Sequence, residues 1–106
     1  MEINDANFEE KVIRQSKKKV VVADFWASWC IPCNMLAPIL DKIVESYKGR
    51  VMLAKINIDK CPETAERFEI NAIPDVRIFK NGKVVGQFIG IAPEEIIKDK
   101  IKKALA

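Results

Sequence analysis

Histidine is absent from this chain of 106 residues. That gap removes the cysteine–histidine nucleophile pair, the serine–histidine–aspartate triad and every histidine-containing zinc site. Cysteine is scarce: three residues cannot all pair within one chain, which speaks against a static disulfide framework. No apolar run nears the roughly 20 residues that span a bilayer. Met1-Glu2-Ile3-Asn4 also lacks the charged start and apolar middle of a secretory leader, so the chain is expected in the cytoplasm and off the membrane. With four glycines and five prolines there is no linker or low-complexity stretch. The net charge of +3 is spread out, and its small clusters, Lys17-Lys18-Lys19 and KDKIKKALA at the end, read as solvated faces rather than a nucleic-acid footprint.

What is present is the balance of an ordinary globular protein, 49% apolar and 31% charged with the signs mixed. The length suits one domain over residues 1–106 with its own core. Asn4 or Asp5 is placed to cap a helix running to about Gln15, with Phe8, Val12 and Ile13 on one face. VVVADFW, Val20 to Trp26, is β-branched and almost continuously apolar, the mark of a central strand buried on both faces. From Pro32, Met35, Leu36, Ile39, Leu40, Ile43, Val44 and Tyr47 recur at helical spacing up to Gly49, with a kink expected at Pro38. Val51 to Asp59 reads as a second strand, and PETAERF as a short helix for which Cys61 is the expected cap. Asn81-Gly82 between Val76–Lys80 and Val84–Ile89 signals an antiparallel hairpin, since a type I′ turn needs positive φ at both central residues. A last amphipathic helix begins at Pro93. The order implies an α/β fold, a mixed sheet with a parallel core and helices on both faces.

The chemistry concentrates in FWASWCIPCNMLAP, Phe25 to Pro38. Cys30 and Cys33 fall where a buried strand gives way to a helix. The free N–H groups and partial positive charge of a helix start stabilise a thiolate, the species that attacks a disulfide. Cys33 lies about one turn on, near enough to bridge, so Cys30 is expected to be the nucleophile and Cys33 the resolving thiol. Pro32 fits the first turn, where its missing N–H costs nothing. A zinc site would want a second cysteine pair, and only Cys61 is left over. Asp24, in the middle of the apolar strand, is the candidate to take the Cys33 proton through water, with Lys55 on the neighbouring strand as its partner. The alternative for Asp24 is a half-buried carboxylate that is merely hydrogen-bonded.

Taken together, ADFWASWCIPCNMLAP, KINIDKCPETAERFEINAIPDVRIFKNGK and Gly90 before a final helix resemble the thioredoxin family over nearly the whole chain. Asp24, Trp26, Trp29, Cys30, Cys33, Pro38, Lys55, Pro74, Gly82 and Gly90 match its pattern. The resemblance implies a thioredoxin fold of four to five strands in the order 1-3-2-4-5, flanked by four helices. It also implies Trp29 covering the active site and Ile73-Pro74 facing the cysteines with the proline in cis. Substrates would then pair as extended segments beside Pro74, on a surface built from Trp29, Ile31, Pro32, Ile73, Pro74, Asp75 and Gly90.

The implied activity is reduction of disulfides in protein substrates through the Cys30–Cys33 pair, recharged by a separate reductase and needing no cofactor or metal on this chain. A disulfide oxidase or isomerase, or a binding module with secondary redox activity, are the rival readings. The chain departs from the family in four places. Ile31-Pro32 replaces the usual Gly-Pro; Asp75 follows Pro74 where threonine is common; Asn34 replaces a lysine; and only Met1 to Ile3 are left for a first strand. Asp75 and Ile31 are expected to disfavour the Cys30 thiolate, which would make the pair a better reductant. A monomer is expected, with an intermolecular disulfide through Cys61 as a possible exception.

Overall fold

A computed structural model describes all 106 residues. Seven regular elements follow the N-terminal segment. They are β1 (Val20–Trp26), α1 (Ile31–Ser46), β2 (Val51–Asn57), α2 (Pro62–Arg67), β3 (Asp75–Lys80), β4 (Lys83–Ile89) and α3 (Glu94–Leu105). The sheet is ordered β2-β1-β3-β4, with β1 parallel to β2 and antiparallel to β3. Along the outer edge of β2, Glu2 adds a single parallel bridge to Lys55. The expected first strand has thus shrunk to one residue pair, and counting it restores the order 1-3-2-4-5. This is the thioredoxin fold.

Alternation along β1 divides the core in two. Val20 and Val22, with Val76 and Ile78 of β3, pack against Leu36, Leu40 and Ile43 of α1 and Ile97 and Ile101 of α3. On the other face Val21, Ala23 and Phe25, with Ile56 and Phe79, meet Phe8, Val12 and Cys61. Side chains of this size each contribute about 1.5–3 kcal/mol when fully buried, so a strand apolar on both faces is held from both sides. That double burial fixes the place where β1 ends and α1 begins.

Local expectations fared unevenly. Helix α1 runs through Pro38 without a break. The hairpin turns at Asn81 (φ 53°) and Gly82 (φ 81°), as the dipeptide requires. The fourth helical element, at the N-terminus, is π-helical over Glu9–Arg14 and then 3-10 over Gln15–Lys17. Buried Ser16 ends it: its hydroxyl donates to the Ile13 carbonyl at 2.6 Å and accepts the Gly82 N–H at 2.8 Å, tying the segment to the hairpin.

Capping of α2 differs from expectation. Cys61 occupies the N-cap position, but its side chain makes no cap bond. Its thiol donates instead to the Ile3 carbonyl at 3.1 Å. Asp5 caps the helix from a distance in sequence, accepting from the Glu63 and Thr64 N–H groups and from the Thr64 hydroxyl. A carboxylate is the better acceptor for the free N–H groups of a helix start than a thiol.

Candidate functional site

Cys30 is the N-cap of α1, in extended backbone (φ −90°, ψ 108°). Its sulfur accepts the Cys33 N–H at 3.2 Å, and the two side chains form a disulfide with the Cα atoms 5.2 Å apart. A sulfur at this position meets the partial positive charge of a helix of 16 residues. Cys30 and Cys33 pack with buried Ala27 and are flanked by Trp26, Ile58 and Ile73. Exposure runs in the expected direction but over a small range, 4% for Cys30 and 1% for Cys33.

The rim around the cysteines is apolar and solvent-facing. Ile31 is 72% exposed and Trp29 65%. Met35, one turn beyond Ile31 on α1, is 58% exposed, although its spacing grouped it with the apolar positions of that helix. Pro32 is exposed as well. The Trp29 indole N–H donates to Asp59 Oδ2 at 2.8 Å, a tether that sequence reasoning missed. Asp59 in turn is set by its own N–H, which donates to the side chain of Asn57, the last residue of β2. Asn34, where the family has lysine, uses its amide to donate to the Ser28 carbonyl.

Ile73–Pro74 is cis, and the Ile73 carbonyl oxygen lies 3.9 Å from the Cys30 sulfur. The Pro74 carbonyl accepts the Gly90 N–H at 2.8 Å. Gly90 has φ +80°, a conformation that favours glycine, and this brings the end of β4 against the proline. Ile73 therefore stands against Cys30, and Gly90 is bonded to the proline that follows it.

Asp24 is fully buried on β1 rather than half-buried. Lys55 Nζ donates to its Oδ2 at 2.6 Å, while Oδ1 has no partner. Burial pushes the Asp24 pKa above the usual carboxylate range, and Lys55 opposes that shift without cancelling it. The Lys55 ammonium also sits 5.1 Å from the centre of the Trp26 ring. No direct hydrogen bond joins Asp24 to Cys33.

Asp75 is buried, and its carboxylate is already engaged. Arg77 Nε and Nη2 donate to it at 3.3 and 3.2 Å, and Gln87 Nε2 at 3.1 and 3.3 Å. The repulsion expected between a bare Asp75 and a Cys30 thiolate is therefore countered by a cation that sequence reading left out. Cys61 is also corrected. Its sulfur has no exposed surface, so an intermolecular disulfide through it is closed off while the fold is intact. Burial raises its pKa, with Asp5 and Glu2 adding repulsion.

None of the three concavities on the molecule is lined by Cys30 or Cys33. The sulfur pair lies beneath the exposed apolar rim of Trp29 and Ile31. No helix is long and apolar enough to cross a membrane.

Comparison with known proteins agrees with this geometry. The family model for thioredoxin matches residues 1–103. A thioredoxin of Chlorobaculum thiosulfatiphilum is 41% identical over 100 residues, covering 94% of this chain and 91% of that protein. A thioredoxin of Alicyclobacillus acidocaldarius subsp. acidocaldarius is 42% identical over 105 residues, covering 99% and 97%. One from Synechocystis sp. is 38% identical over 104 residues, covering 98% and 95%.

Proposed function

The chain belongs to the thioredoxin family and is a protein-disulfide oxidoreductase of that type, and from this premise we propose that it works as a reductant of protein disulfides. Cys30, as thiolate, attacks one sulfur of a substrate disulfide, and the other substrate sulfur leaves as a thiolate. The mixed disulfide is then attacked by Cys33, which expels the second substrate sulfur and closes Cys30–Cys33. The substrate gains two electrons, and the dithiol loses two. A separate reductase returns them, and the chain itself carries no cofactor. The single observation that supports this reading most is the Cys30 sulfur at the first N–H groups of α1, with Cys33 within bonding range.

Asp24 takes the Cys33 proton through water, an assignment supported by its burial and its raised pKa. Lys55 tunes it through the 2.6 Å contact. Substrate lies along Trp29, Ile31, Pro32, Ile73, Pro74 and Gly90, with backbone pairing beside the proline. Asp75 contributes to this surface through its backbone, its side chain being turned to Arg77. The protein acts as a single-domain monomer in the reducing cytoplasm.

Reduction of insulin disulfides with and without a thioredoxin reductase tests the reading. Turnover that depends on the reductase supports it, and none under either condition overturns it. Equilibration of the pair with glutathione separates the rivals: a strongly oxidising potential points to an oxidase, an intermediate one to an isomerase.

A further inference from the structure

The engaged carboxylate of Asp75 stands at a sensitive place. It follows Pro74 directly, and Ile73, on the other side of the proline, places its carbonyl 3.9 Å from the Cys30 sulfur. Its side chain is 3% exposed, and its two oxygens take four donor contacts, two from Arg77 and two from Gln87. Gln87 is the cross-strand neighbour of Arg77, and Asp75 pairs with Ile89 in the same register. The cluster therefore pins the first turn of the β3–β4 ladder at the point where Gly90 meets Pro74.

Arg77 is itself held. Its guanidinium lies 6.0 Å from the centre of the Phe25 ring and 5.6 Å from that of Phe68, and its side chain is 15% exposed. Of the other charges near these rings, Arg67 lies over Phe8 and Phe68 and is paired with Glu9. The Asp24–Lys55 pair lies on the opposite face of the sheet by strand alternation. Arg77 is thus the one cation bonded to Asp75.

We propose that Arg77 is a positioning residue for thiol–disulfide exchange at Cys30. By neutralising the buried Asp75 carboxylate it fixes the start of β3 and the Ile73–Pro74 segment ahead of it, and it keeps uncompensated negative charge away from the nucleophile. A buried carboxylate stripped of its counter-ion must regain water, take a proton or persist as bare charge. Water or protonation loosens the segment that presents the Ile73 carbonyl. Bare charge opposes the Cys30 thiolate. The proposal rests on Cys30 being the attacking thiol.

The pH profile of Cys30 alkylation by iodoacetamide in the reduced protein tests it, with the modified cysteine identified by mass. Arg77→Leu is expected to move the profile to higher pH and to slow alkylation at pH 7 by about threefold to tenfold, tenfold being the effect of one pKa unit. Arg77→Lys, which keeps the charge, recovers part of the loss. In Asp75→Asn combined with Arg77→Leu the profile returns to within about twofold of wild type, equivalent to about 0.3 pKa unit. A wild-type profile in Arg77→Leu, or a double variant shifted as far as the single one, overturns the proposal. Should Arg77→Leu fail to fold, Arg77→Gln, which also removes the charge, takes its place under the same criteria. Because iodoacetamide reads the sulfur without a protein substrate, a wild-type chain inert toward insulin would count against the reductase reading alone.

Discussion

Lys55 holds Asp24 by one oxygen only: Nζ lies 2.6 Å from Oδ2, and Oδ1 is buried without a partner. A half-compensated charge in the core costs stability, because what Lys55 returns does not match the hydration given up. Asp24→Asn is therefore expected to stabilise the oxidised protein at pH 7 by about 1–3 kcal/mol. The sign follows from the raised pKa. The native state holds its proton more tightly than the unfolded chain, so the wild type is at its best below the ordinary value of 3.8 and weakens as pH climbs to the raised native value. Urea titrations at pH 7 and at pH 3.5 check this, with the gap between variant and wild type wide at the first and closed at the second. An equal gap at both would mean that ionisation of Asp24 is not the cause. The same variant is expected to slow protein-disulfide reduction, through loss of the proton acceptor.

Asp5 behaves oppositely. Its bonds to Thr64 and Glu63 favour the charged form and lower its pKa. Its contribution is present above the ordinary value of 3.8 and is lost as pH falls through the lowered native value. Asp5→Ala is expected to destabilise the protein at neutral pH and to converge with wild type in acid. Amide exchange at Glu63 and Thr64, accelerated in the variant, locates the effect at α2. Unchanged protection there would rule out the cap.

The contrast between these carboxylates shows what was legible in the chain and what was not. Asp24 was legible because its neighbours in sequence, Val20 to Trp26, already state that the strand is buried. The cysteine pair at the start of α1 and the Asn81-Gly82 turn were legible for the same reason, each being a local pattern with a local cause. Asp5 is 59 residues from Thr64, and the helix its position in sequence offered it to cap was the one that follows it directly, which has no side-chain cap. Gln87 reaches Asp75 through the β3–β4 register, which a bulge between Ile78 and Phe79 resets, whereas Arg77 sits two residues along β3 on the same face, a local pairing that was there to be read. The Trp29–Asp59 contact joins two connections that the parallel pairing of β1 and β2 brings side by side. Arg77 apart, the partners missed are those that only the tertiary arrangement brings together.

Cys61 offers a test of the closed core. Its thiol is buried, bonded to the Ile3 carbonyl and raised in pKa, so it presents neither surface nor thiolate to a reagent. In the reduced protein at pH 7, iodoacetamide is expected to modify Cys30 first, and Cys61 only after denaturant is added. Mass spectrometry of the digested protein over a time course separates the sites. Labelling of native Cys61 at the rate of an exposed thiol would show that the contact between the N-terminus and α2 opens readily.

Asp59 is expected to govern how the site meets a protein without governing its sulfur chemistry. The bond to Trp29 is partly solvated, so its loss costs no more than about 1 kcal/mol of stability. An untethered indole, however, must be ordered each time a substrate docks, and that cost falls on binding. Asp59→Ala should raise KM for insulin about threefold, equivalent to about 0.7 kcal/mol, with kcat little changed. Reduction of a small aromatic disulfide, which needs no docking surface, should proceed at the wild-type rate. Asp59→Asn separates tether from charge, since its amide oxygen still accepts from the indole while the negative charge is gone. If Asn behaves as Ala does, or if the small disulfide slows in step with insulin, the effect belongs to the charge of Asp59, and Trp29 is not being held for substrate.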